Sequence, residues 1–103
     1  MLDLKNKIKK DISENKIMLY MKGTKEMPMC GFSATVVNIL GMHKIDYIAI
    51  NVLEDPKIRH ELAEFSNWPT IPQLFYNGKL IGGCDIAVEL HNSGELAEIF
   101  KNK

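Results

Sequence analysis

Two residues in this chain carry thiols, Cys30 and Cys84, and Cys30 is the better placed for chemistry. It lies in Pro28-Met29-Cys30-Gly31-Phe32-Ser33, between a proline-broken loop and an apolar-periodic stretch that reads as a helix. A thiol at the start of a helix meets unpaired backbone N–H groups and the positive end of the helix dipole, which favour the thiolate. Ser33 stands where a second cysteine would complete a Cys-x-x-Cys pair. A hydroxyl can donate to a thiolate but cannot close a disulfide. Cys30 must therefore attack, or ligate a metal, without a thiol partner at that spacing.

Other residues are weaker candidates on their own. Cys84 follows Gly82-Gly83 and precedes Asp85; for it a buried inert thiol and a functional one are equally open. Glycines let a ligand approach the backbone, and a helix beginning near Asp85 would offer N–H groups to an anion, although Asp85 also suits a plain N-cap. Lys22 and Arg59, read from the residues alone, are solvated cations. Trp68 reads as core. His43, His60 and His91 match no zinc spacing and read as surface histidines, and Gly23-Thr24 lacks the pattern of a phosphate loop.

The elements that must position these groups are legible in order. Leu4, Ile8 and Ile12 form the apolar stripe of a first helix. Ile17 to Met21 is short and continuously apolar, as in a strand buried on both faces. Phe32, Val36, Ile39 and Leu40 line one face of a second helix, which Gly41 could end in a left-handed cap. Tyr47 to Val52 reads as a second strand, and Asp55-Pro56 as the start of a third helix carrying Ile58, Leu62 and Phe65. Asn77-Gly78 between Gln73–Tyr76 and Lys79–Ile81 is a strong hairpin signal. A last helical region carries Ile86, Leu90, Leu96, Ile99 and Phe100, kinked or split at Ser93-Gly94. Two strands joined by a helix imply a parallel crossover, and the hairpin then adds antiparallel strands to the same sheet. The expectation is an α/β helix–sheet–helix sandwich.

Length and composition set the bounds. The 103 residues suit one domain, 1–103, with a single core. Thirteen basic residues cancel thirteen acidic ones, which gives no broad field for nucleic acid or an anionic membrane. No apolar run approaches the ~18 residues of a membrane span. The stretch Met1 to Lys16 contains Asp3, Asp11 and Glu14 and no arginine, unlike a transit peptide, and has no apolar core for secretion. Two well-separated cysteines fit a reducing, cytoplasmic setting better than a disulfide framework.

Four motifs in sequence order, Met21-Lys22-Gly23-Thr24, Cys30-Gly31-Phe32-Ser33, Trp68-Pro69-Thr70-Ile71-Pro72-Gln73 and Gly82-Gly83-Cys84-Asp85, resemble those of the monothiol glutaredoxins of the CGFS type. The resemblance runs over essentially the whole chain. It implies a thioredoxin-like fold with a four-stranded mixed sheet, glutathione as cofactor, and a role in holding and passing on [2Fe–2S] clusters. It further implies a homodimer bridged by that cluster, a mainly monomeric apo form, BolA-like partners and apo iron–sulfur clients. Cys30 would be the nucleophile and the cluster ligand. Lys22 would lower its pKa and pair the glycine carboxylate of glutathione. Arg59 would help with that carboxylate, with Lys57 as its competitor. The resemblance also implies a cis Ile71-Pro72 bond, leaving the Ile71 backbone free to pair the cysteinyl part of glutathione. Cys84 and Asp85 would meet its γ-glutamyl end. Two further readings stand beside the carrier: an enzyme that removes glutathione from protein thiols, and a regulatory binding module for a BolA-like partner. The Gly23–Met27 loop favours the carrier and, at most, weak oxidoreductase activity.

Overall fold

A computed structural model describes residues 3–101. Helix α1 (Leu4–Glu14) begins where the Asp3 carboxylate accepts from Asn6 N at 2.9 Å, and it buries Ile8 and Ile12. Strand β1 (Ile17–Met21) follows, buried at every residue. Then come α2 (Gly31–Met42), β2 (Ile48–Asn51), a 3₁₀ turn (Val52–Glu54) and α3 (Pro56–Ser66). The hairpin of β3 (Gln73–Tyr76) and β4 (Lys79–Gly82) leads into α4 (Cys84–Ser93) and α5 (Glu95–Lys101).

The sheet order is β2-β1-β3-β4, with β1 parallel to β2 and antiparallel to β3. Because strand side chains alternate faces, β1 feeds two cores. Ile17, Leu19 and Met21 pack with Val36, Leu40, Ala87 and Leu96 on the α2–α4–α5 side. Met18 and Tyr20 pack with Ile8, Ile12 and Leu62 on the α1–α3 side. A fully buried aliphatic of this size contributes about 1.5–3 kcal/mol by leaving water, so β1 is the strand both layers depend on. This is the helix–sheet–helix sandwich expected from the element order, with the thioredoxin-like four-stranded mixed sheet that the family resemblance implies.

Local signals are obeyed where they are strong. Asp55 caps α3 by accepting from Lys57 N at 3.0 Å, with Pro56 in the first turn. Asn77 and Gly78 take φ values of 50° and 82° in the hairpin turn, and Gly94 (φ 86°) separates α4 from α5. Four local readings are corrected. Gly41 does not cap α2: the helix runs on to Met42, His43 closes it, and Lys44 takes the positive φ of 52°. Phe32 is not on the buried face of α2, being 63% exposed at its open end. The second strand is shorter than 47–52, because the Asn51 side chain accepts from Leu53 N and turns the chain out of the sheet. Gly83, not Asp85, is the N-cap of α4. The histidines also differ from the surface reading: only His60 is exposed, while His43 and His91 are half-buried against each other.

Candidate functional site

Cys30 is the N-cap residue of α2, in extended conformation at φ −154° and ψ 137°. The preceding loop is a small ordered hairpin. Gly23 and Pro28 bridge, Met29 N donates to Lys22 O at 2.8 Å, and Thr24 and Met27 exchange backbone bonds at 3.1 Å. Gly23 allows this at φ 93°, and a Cβ there would lie 2.5 Å from Met27 O. Ser33 is fully buried, and its Oγ accepts from Lys22 N at 3.1 Å. That bond ties the end of β1 to the first turn of α2 and leaves the hydroxyl proton free to donate toward sulfur. The position of a would-be second thiol is thus filled by a structural hydroxyl.

The Cys30 thiol is held below its ordinary pKa. The Ser33 backbone N–H contributes most; slight burial opposes it, and the Phe32 N–H, the Lys22 ammonium and the Ser33 hydroxyl add to the lowering. The side chain makes no closed capping bond in this state, so these N–H groups stay available to a thiolate. Cys84 is shifted the other way, by burial first and then by the charges of Asp85 and Cys30, with a Thr35 hydrogen bond opposing. Both cysteines are free.

Two hollows hold the remaining predicted residues. A cleft of about 190 Å³ is lined by Phe32, Trp68, Thr70, Ile71, Pro72, Gly83, Cys84 and Asp85, with Ile86 at its back. A second hollow, about 210 Å³, is lined by Lys22, Val52, Leu53, Pro56 and Arg59. The structure therefore brings Ile71, Cys84 and Asp85 together, and Lys22 with Arg59. Cys30 lines neither hollow, yet it feels the charge of Lys22 from one and acts on Cys84 in the other. Lys57, the competitor for Arg59, is absent from the second hollow.

The Ile71–Pro72 peptide is cis. The β1–β3 ladder ends at Tyr20 and Gln73, so Ile71 sits just beyond the paired backbone. Two residues here escaped the sequence reading. Trp68 forms cleft wall rather than core, and a Cβ at Gly83 would come within 3.4 Å of its Nε1 and 3.2 Å of Pro72 O. Gln73 is fully buried and donates from Nε2 to Trp68 O at 2.7 Å and Thr70 O at 3.1 Å, pinning the loop that presents Ile71. Chemically, the site offers one soft nucleophile or metal ligand, a backbone edge, and two cations suited to a carboxylate.

The glutaredoxin family model matches residues 17–81, more than half of the chain. The chain belongs to the glutaredoxin family. Its relatives place it in the monothiol class, in keeping with Ser33. "Probable monothiol glutaredoxin 2" of Rickettsia typhi is 53% identical over 96 residues, covering 93% of this chain and 86% of the relative. Glutaredoxin 4 of Escherichia coli is 46% identical over 95 residues, covering 92% and 83%. Among solved structures, reduced poplar apo GrxS14 superposes with a TM-score of 0.83 at 46% identity, covering 96% of this chain and 91% of that one. No helix among the described residues is long and apolar enough to cross a membrane.

Proposed function

We propose that the chain binds glutathione along the cleft and carries a [2Fe–2S] cluster shared between two copies, in iron–sulfur assembly and redox homeostasis in the cytoplasm. One observation carries this reading: a partly exposed thiol poised toward thiolate, with the neighbouring Cys-x-x-Cys position filled by the buried, hydrogen-bonded Ser33. A [2Fe–2S] centre generally takes four thiolates. Each chain supplies one from Cys30, so two chains and two glutathione thiols complete the set, and the cluster is cargo between them.

The residues suit glutathione. Lys22 and Arg59 share a hollow fit for its glycine carboxylate. Ile71, beyond the ladder's end, can pair its cysteinyl backbone as an added strand does. The start of α4 offers the Cys84 backbone N–H and the Asp85 carboxylate to the γ-glutamyl end. Met27, Met29 and Phe32 are each more than 60% exposed around the thiol. Such an apolar rim suits a second chain, either another copy or a BolA-like partner.

Deglutathionylation is the second reading, favoured by the lowered Cys30 pKa. Free glutathione can resolve a mixed disulfide formed on one cysteine. The test is anaerobic reconstitution with and without glutathione, read by visible absorption and native mass spectrometry. The expected species has two chains, two glutathiones and one cluster. Cys30→Ser loses cluster and dimer together, and Cys84→Ser keeps most of both. A cluster held by a glutathione-free monomer overturns the proposal, and turnover near ~10 per second with a small mixed disulfide puts deglutathionylation first.

A further inference from the structure

His43 and His91 lie 48 positions apart in the chain, yet His43 Nε2 and His91 Nδ1 stand 3.2 Å apart. Their ring planes are nearly perpendicular at 86°, with centroids 5.2 Å apart. Two nitrogens bound tetrahedrally to zinc at ~2.0–2.1 Å are separated by roughly 3.3 Å. The pair is therefore already spaced as two ligands of one ion. Both residues are half-buried, so neither is sealed from water. His43 closes the C-terminus of α2, and His91 lies in the last turn of α4. The negative ends of two helix dipoles thus converge where a cation would sit.

We propose that His43 and His91 together bind one divalent transition-metal ion of the zinc class, with water completing its shell. The facing contact is a donor–acceptor pair of neutral imidazoles, so one facing nitrogen carries a proton. Binding moves that proton to the same ring's outer nitrogen, and a small rotation points both lone pairs at the metal. No net proton is released. Burial, and then the neighbouring His91, keep His43 neutral to lower pH than an ordinary histidine, and Phe100 packs edge-on to dry its other side. The two helices joined here carry Cys30 and Cys84 at their opposite ends. A metal would therefore staple α2 to α4 about 18 Å from the thiol, given 12 residues at ~1.5 Å each.

The other cluster of ligand atoms among the described residues, His60, Glu61 and Glu64 within 4.8 Å, provides an internal control. It lies on one face of α3, with His60 already ion-paired to Glu64 at 3.2 Å.

Zinc chloride is titrated into the Cys30→Ser/Cys84→Ser chain, which removes thiol ligands, and the imidazole nitrogens are followed by ¹⁵N NMR with the amide spectrum as a check on folding. His43 and His91 should shift together and saturate at one ion per chain. The melting temperature should rise with zinc. His43→Gln and His91→Gln should each weaken binding at least tenfold, and His60→Gln should leave it unchanged. Shifts confined to His60, saturation untouched by either pair variant, or no His43 shift at millimolar zinc would overturn the proposal.

Discussion

Cys30 and Cys84 share a side chain, yet their pKa values are shifted in opposite directions, because one faces helix N–H groups and the other is half-buried beside an acid. Alkylation rate against pH should therefore give a Cys30 midpoint below the ~8.5 of a free thiol, and Cys84 should react later and at higher pH. Lys22→Glu should raise the Cys30 midpoint without restoring the free value, since the Ser33 backbone N–H leads the shift and survives the substitution. A midpoint at or above the free value would remove the reason to regard Cys30 as activated. The linkage to stability has opposite signs at the two sites. The lowered Cys30 pKa gives a contribution present above the unfolded thiol's pKa and lost as pH falls through the folded one. The raised Cys84 pKa gives one present below the unfolded value and lost as pH rises through the folded one.

At the scale of elements, glycines separate strain from crowding. Gly94 has φ 86° with open space around a would-be Cβ, whereas Gly82 has φ 148° and its Cβ would lie 2.7 Å from Ile86. Gly94→Ala should cost about 1 kcal/mol, which lowers the melting temperature by about 4–8 °C in a domain this size. Gly82→Ala must also move Ile86 at the start of α4, so its loss should be clearly larger. Equal melting temperatures would show that β4 and α4 yield at no cost. The same division explains what could be read in advance. Asp55-Pro56, Asn77-Gly78 and the continuous β1 run act through their own backbones, so sequence reveals them. Phe32 and Trp68 are apolar, and only the tertiary meeting of the α2 start, the 68–72 loop and the α4 start decides that they border a cleft. The cis Ile71-Pro72 bond was expected from the family resemblance, against the prior from X–Pro statistics. Gln73 as the pin of that loop, and the meeting of His43 with His91, depend on contacts that no local pattern encodes.

For the whole molecule, the proposed cluster-bridged dimer needs something to hold its two chains together. Around Cys30 the surface carries Met27 and Met29, 68% and 63% exposed, and neither lines the cleft beside Cys84. Both hang from the Gly23–Pro28 hairpin, whose own bonds keep them outside the core. Covering a methionine fully is worth about 1.5–3 kcal/mol, and partial cover of two at a dimer seam is worth about one tenfold step or more. The double variant Met27→Ser/Met29→Ser should therefore leave glutathione affinity and the Cys30 alkylation midpoint where they are. It should raise the dissociation constant of the cluster-loaded dimer by about tenfold in sedimentation velocity, with the apo chain a monomer before and after. If glutathione affinity fell in parallel, the hairpin would be part of the ligand site. An unchanged dimer would mean that cluster and glutathione alone bridge the chains, leaving the methionines to a different partner.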